Sequence, residues 1–176
     1  MKKVSLFSLV AAVALPLLSS VVLQARQPKV GQQAPSFILK DDTGTKRILS
    51  EMRGQKVALY FYPMDSSPNC TKQACSIRNG FAELEEAGVT VFGINSSSVK
   101  EHKKFKDKHN LPFALLSDAK NKIAKLYGAN GWFGFPLRIT FLIDETGKIV
   151  KINKDINVAS HDIQILKGFG LDAKTK

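Results

Sequence analysis

Six consecutive apolar or aromatic residues, Val57-Ala58-Leu59-Tyr60-Phe61-Tyr62, run straight into Pro63. A strand with no polar interruption is one covered on both faces, and proline ends it because it has no N–H to give the ladder. Residues 89–94 and 139–143 are also strand-like and mostly apolar, with Thr90 and Thr140 as their polar members. The stretches between them have a helical period instead. Ala74, Ile77, Phe81 and Leu84 recur at three- and four-residue steps, which predicts a helix over 70–87 closed by Gly88. Residues 98–109 form a lysine-rich amphipathic pattern with Ser97 or Ser98 as its cap. A third helix is expected over 120–127, capped by Asp118 and ended by Gly128, and a last one over 160–167. Shorter strands are expected at 34–40 and 114–116, a helical turn at 49–52, and a hairpin where Asp144-Glu145-Thr146-Gly147 leads into 148–153. Strands alternating with helices make this an α/β chain: a mixed, mostly parallel sheet flanked by helices, with an antiparallel edge from the closing hairpin.

The first 25 residues read as a separate object. Lys2 and Lys3 precede an uncharged apolar run over 4–23, broken by Pro16, and Leu23-Gln24-Ala25 is a weak cleavage site before Arg26. The run has about 20 residues, also enough to span a bilayer. The expectation is therefore a signal peptide or membrane anchor over 1–25, a linker over 26–33 and one domain over 34–176. The chain would be exported, to a periplasm, thylakoid lumen or other non-cytosolic compartment, or tethered to a membrane through 4–23.

The net charge is +11, from 26 basic and 15 acidic residues. The lysines are spread over most of the chain, with no zinc pattern, recognition helix or RNA-binding aromatic motif beside them, so nucleic acid is not the expected partner. His102, His109 and His161 have no metal-ligand spacing and read as surface residues. No metal and no cofactor is expected. Two cysteines are too few for a disulfide scaffold, and a domain this long needs none.

Those cysteines lie where chemistry is expected. Pro63-Met64-Asp65-Ser66-Ser67-Pro68-Asn69-Cys70 joins a buried strand to a helix, at the strand's carboxyl end, where open α/β sheets bind ligands. Cys70 falls in the first helical turn, whose free N–H groups and dipole favour an anion. An ordinary thiol is largely protonated at neutral pH, and lowering a pKa by two units takes roughly 2.7 kcal/mol. A helix end supplies at most about 2 kcal/mol, so a hydroxyl or a cation is needed as well. Ser67 is the near hydroxyl, and Arg138, at the mouth of the 139–143 strand, is the best-placed arginine. Cys75 lies five residues beyond Cys70. On an ideal helix that spacing separates the Cα atoms by about 8.7 Å, whereas a disulfide needs them within about 7 Å. The two cannot bond while the helix is intact.

Tyr60-Phe61-Tyr62-Pro63, followed by Ser67-Pro68-Asn69-Cys70-Thr71-Lys72-Gln73-Ala74-Cys75-Ser76-Ile77-Arg78, resembles the active-site segment of peroxiredoxins, most closely the Q type, also called bacterioferritin comigratory protein. Leu115-Leu116-Ser117-Asp118 and Arg138-Ile139-Thr140-Phe141-Leu142-Ile143-Asp144 continue it, and the likeness covers about 30–166. It implies a thioredoxin-like fold and reduction of hydrogen peroxide and organic hydroperoxides by a monomer. By the resemblance, Cys70 is the peroxidatic cysteine, which becomes a sulfenic acid. Cys75 is the resolving cysteine, which closes an intrachain disulfide. Pro63 shields the thiolate, Ser67 contacts the peroxide, and Arg138 holds both. Thioredoxin or a similar dithiol is the implied reductant. The competing reading is a thiol–disulfide oxidoreductase, which usually has two residues between its cysteines where this chain has four. Asn69 and Gln73 stand where the family usually has glycine and glutamate, and Ser67 where it has threonine. The 130–137 segment, rich in glycine and phenylalanine around Trp132, also departs from the family and is the expected place for a hydrophobic patch beside the site.

Overall fold

The computed structural model describes residues 27–172. The expected signal or anchor over 1–25 lies outside them. Seven strands form one sheet: β1 (Ile38–Asp41), β2 (Lys46–Ile48), β3 (Lys56–Phe61), β4 (Val89–Asn95), β5 (Ala114–Ser117), β6 (Ile139–Ile143) and β7 (Ile149–Asn153). Their spatial order is β2-β1-β5-β4-β3-β6-β7. Among the described residues five α-helices accompany them, α1 (Pro68–Asn79), α2 (Phe81–Glu86), α3 (Val99–His109), α4 (Lys122–Leu126) and α5 (His161–Gly168), with 3-10 turns at Leu49–Met52 and Trp132–Gly134. This is a thioredoxin-like α/β fold.

β3 divides the core in two. Val57, Leu59 and Phe61 point to one face, with Phe92, Tyr127 and Phe141. Ala58, Tyr60 and Tyr62 point to the other, with Cys70, Ala74, Ile77, Phe105 and Ile165. That two-sided burial is why the run carries no polar residue.

Parallel pairing holds only at the centre, between β3 and β4 and between β4 and β5. The four outer pairings are antiparallel. The expectation of a mostly parallel sheet is corrected on this point. Short turns rather than helical crossovers join β1 to β2 and β6 to β7, and such turns can only build antiparallel neighbours.

The helix expected over 70–87 is two helices, broken at Gly80. A Cβ on Gly80 would lie 2.3 Å from Asp162 Oδ2, so α5 can come this close only to a glycine. The helix expected from 120 starts later, because Asn121 takes a left-handed conformation. Asp118 still caps it, accepting from the N–H groups of Lys122, Ile123 and Ala124. Ser98 closes a capping box with Glu101 on α3. The described part of the expected linker, 27–33, is laid along the domain: Gly31 N–H donates to Ile149 O at 2.7 Å, and Ile149 N–H to Gln32 O at 2.9 Å.

Candidate active site

β3 ends at Phe61, and Pro63 stands half-buried in the loop beyond it. The loop turns at Ser66, whose φ of 61° is unusual for a residue with a side chain. Ser67 follows as the N-cap of α1, with Pro68 in the first turn, where proline's missing N–H is not needed. The helical ladder begins with Thr71 N–H donating to Ser67 O at 2.8 Å. Cys70 therefore lies in the turn whose N–H groups precede the ladder. Its side chain is only 1% exposed.

Arg138, just before β6, reaches across β3 to this helix. Its Nη2 donates to Cys70 Sγ at 3.3 Å, and its Nη1 donates to Gln73 Oε1. A guanidinium has only donors. The Gln73 amide must therefore turn its oxygen to Arg138 and its NH2 to His161, 2.9 Å away at Nδ1. Nδ1 of His161 is then an acceptor, and Nε2–H donates to Thr140 Oγ1 at 3.0 Å. Ser76 Oγ accepts from the His161 backbone N–H at 2.8 Å and donates to Asp162 at 2.7 Å. Burial, and secondarily the charge of Arg138, push the His161 pKa down to about 3. A neutral ring is also what the geometry demands, since a second ring proton would face the Gln73 NH2.

A second cluster ties down the 63–67 loop. Asp65 accepts from Tyr62 Oη at 2.6 Å and from Asn95 Nδ2 at 2.9 Å, and its other oxygen lies 2.9 Å from His102 Nδ1. His102 Nε2 faces Leu116 O at 3.2 Å. Burial raises the Asp65 pKa, but the hydrogen bonds from His102, Tyr62 and Asn95 outweigh it and hold the carboxyl below its ordinary range.

Cys70 and Arg138 are thus together, and Pro63 and Ser67 flank them in sequence. The Ser67 hydroxyl donates to Met64 O at 3.4 Å rather than to the sulfur. Cys75 is half-buried on the same intact helix, and both cysteines are free thiols. The reading of His102 and His161 as surface residues is overturned: both are fully buried. A signal was present, because His102 shares the stripe of Phe105 and His161 that of Ile165, three and four residues on. Among the described residues no group of three or more His, Cys, Asp or Glu side chains gathers as a metal site would need.

A buried cysteine in a first helical turn, receiving a hydrogen bond from an arginine just ahead of a neighbouring strand, is an arrangement that thiol chemistry can use. Comparison with known proteins gives the family. The family model described as AhpC/TSA matches residues 30–152. Peroxiredoxin Bcp of Bacillus subtilis is 36% identical over 147 residues, 79% of this chain and 93% of the relative. Chloroplastic peroxiredoxin Q of Oryza sativa subsp. japonica is 41% identical over 140 residues, and the match spans 78% of this chain but only 64% of that longer protein. The crystal structure of peroxidoxin BcpB from Mycobacterium tuberculosis superposes with a TM-score of 0.76 at 32% identity, covering 82% of this chain and 97% of that one. The chain belongs to the AhpC/TSA family and is a peroxiredoxin of the Q/Bcp type, an antioxidant thiol peroxidase that reduces peroxides.

Proposed function

We propose that Cys70 is the peroxidatic cysteine and Cys75 the residue that resolves it. The observation that carries this reading is the 3.3 Å hydrogen bond from Arg138 to Cys70 Sγ at the start of α1. The Cys70 thiolate attacks the terminal oxygen of a hydroperoxide. An S–O bond forms, the O–O bond breaks, and the leaving alkoxide or hydroxide takes a proton to become an alcohol or water. Cys70 is left as a sulfenic acid. Arg138 supports the thiolate and then the negative charge that develops on the leaving oxygen. Pro63 keeps bulk water off the sulfur, and Ser67 can turn its hydroxyl from Met64 O to the peroxide.

The Cys75 sulfur next attacks Cys70 Sγ, the S–O bond breaks, and water leaves. The intact α1 forbids this bond, so its first turns open in the oxidised protein. A dithiol of the thioredoxin kind then reduces the disulfide by two exchanges. The monomer carries every group this cycle needs. Hydrogen peroxide and organic hydroperoxides are the substrates. Lys2, Lys3 and the apolar run over 4–23 support export or a membrane tether, outside the cytosol.

The test is steady-state consumption of hydrogen peroxide with a dithiol reductant. Cys70→Ser should abolish it. Cys75→Ser should keep one fast turnover and lose recycling through the internal disulfide. Equal consumption by wild type and Cys70→Ser would end the proposal.

A further inference from the structure

The segment just before Arg138 carries the most exposed aromatic side chains among the described residues. Trp132 is 85% and Phe133 92% exposed, with Phe135 and Leu137 at 45% each. Yet its backbone is tied by hydrogen bonds. Asn130 and Pro136 form an antiparallel bridge, and Gly131 N–H donates to Phe135 O at 3.0 Å. Gly134 O accepts from Asn121 Nδ2 at 2.6 Å, and Ser96 Oγ reaches it at 3.5 Å. At Gly131 a Cβ would fall 2.5 Å from Phe135 O, so the tight turn needs glycine there. The chain thus builds a pinned hairpin that points two large rings at solvent, which is unfavourable for a surface meant to meet only water.

Two further observations say what covers it. First, a cavity of about 250 Å³ against the hairpin is lined by Lys120, Lys125, Asn121 and Phe135, and both lysines are exposed. Aromatic rings beside lysines match the boundary of an anionic bilayer, where rings enter the headgroup layer and ammonium groups meet phosphate. Second, the described chain begins at the same corner. Gln27 packs on Gly128, where an added Cβ would lie 2.7 Å from Gln27 Cβ, and Gly128 stands two residues before the hairpin. The apolar run over 4–23 stops four residues before Gln27, a reach of at most about 14 Å for extended chain. Lys29, Val30 and Lys154 are exposed at this corner too.

We infer that the 130–137 hairpin is a membrane-docking tip: Trp132 and Phe133 insert into an anionic lipid surface while Lys120 and Lys125 bind its phosphates. The apolar run and the tip then address the same bilayer. Arg138 follows the hairpin directly in sequence, and Ser96 and Asn95 link the hairpin to Asp65 in the active-site loop. Docking therefore brings the mouth of the Cys70 site to the lipid boundary, where hydroperoxides of membrane lipids are met. This consequence for substrate rests on the peroxidatic role proposed for Cys70, whereas the docking does not.

Trp132 is the only tryptophan, so its fluorescence reports on the tip alone. The full chain is reconstituted in vesicles of phosphatidylglycerol and phosphatidylcholine. The expected result is blue-shifted emission, quenched by brominated acyl chains and shielded from aqueous iodide. Iodide access equal to that of free tryptophan would overturn docking. Shielding from iodide without quenching by brominated lipid would also overturn it, in favour of contact with a second copy. Phosphatidylcholine alone, or the double variant Lys120→Gln and Lys125→Gln, should weaken the lipid quenching at least about two-fold. Equal quenching would overturn the anionic assignment. Cys70→Ser should leave the signal unchanged, which separates docking from the peroxidase chemistry. Phe133→Asp should keep turnover of hydrogen peroxide and lose about ten-fold on vesicle-borne phospholipid hydroperoxide, a drop of about 1.4 kcal/mol in transition-state binding. Equal effects on both substrates would overturn the consequence for substrate.

Discussion

Cys70 depends on a guanidinium that other residues hold in place. Arg138 divides its donors between Cys70 Sγ and Gln73 Oε1, and Gln73 is in turn fixed by His161. A hydrogen bond to a charged group contributes about 1.5–3 kcal/mol, so Arg138→Met should slow the reaction with hydrogen peroxide roughly 10- to 100-fold in stopped-flow measurement. A rate within about two-fold of wild type would show that the contact is idle. His161 makes a prediction about stability. Its folded pKa is depressed to about 3, while a histidine in an unfolded chain titrates near about 6.5. Between those values the unfolded chain takes up a proton that the folded protein refuses. The contribution is complete above the unfolded value and is lost as pH falls. From about pH 7.5 to about pH 5 this residue should remove about 2 kcal/mol from the unfolding free energy. Asp65, with its carboxyl held low, loses its contribution only in more acid solution. Urea titrations of wild type and His161→Gln at the two pH values check this: the variant should be the less pH-sensitive, and parallel losses would refute it. Arg138 and Cys70 were legible in the sequence through the family motif. The burial of His161 had a signal in its stripe with Ile165, but its bond to Gln73 had none, because it arises from a contact between α1 and α5 that no local spacing records.

At the scale of elements, the decisive piece is α1, which is capped by Ser67 and stops at Gly80. The break lets α5 lie close, with Ser76 bonded to Asp162 and to the His161 backbone. Gly80→Ala would force a Cβ against Asp162, and overpacking of this kind costs about 1–3 kcal/mol. The expected result in thermal or urea unfolding is destabilisation of that size, and an unchanged midpoint would mean that α5 yields freely. The periodicity of 70–87 could not reveal the break, because Ala74, Ile77, Phe81 and Leu84 keep nearly one stripe across it. The strands at 57–62, 89–94 and 139–143 were legible almost to the residue, since burial on both faces leaves a run that is apolar throughout in the first and broken only by Thr90 and Thr140 in the other two. β2 has no such signature. Its three residues, Lys46, Arg47 and Ile48, lie at the sheet edge and are mostly polar, and only pairing with β1 makes them a strand.

For the whole molecule, the two-faced core separates what must stay from what must move. β3, β4 and β6 are buried on both sides and keep the site's frame, whereas the proposed cycle asks only the first turns of α1 to open so that Cys75 reaches Cys70. Amide exchange should accordingly show protection lost in α1 on oxidation and retained in β3, β4 and β6; loss spread over the sheet would point to global loosening instead. The central claim is that Cys70 takes the oxidant and passes it to Cys75 within one chain. Its most direct measurement is peptide mapping by mass spectrometry after treatment of the reduced protein with one equivalent of hydrogen peroxide. Lys72 lies between the two cysteines, so trypsin separates them and a bond must appear as two linked peptides. The expected product is a Cys70–Cys75 disulfide within a monomer. Peroxide consumed while Cys70 remains a free thiol would contradict the account.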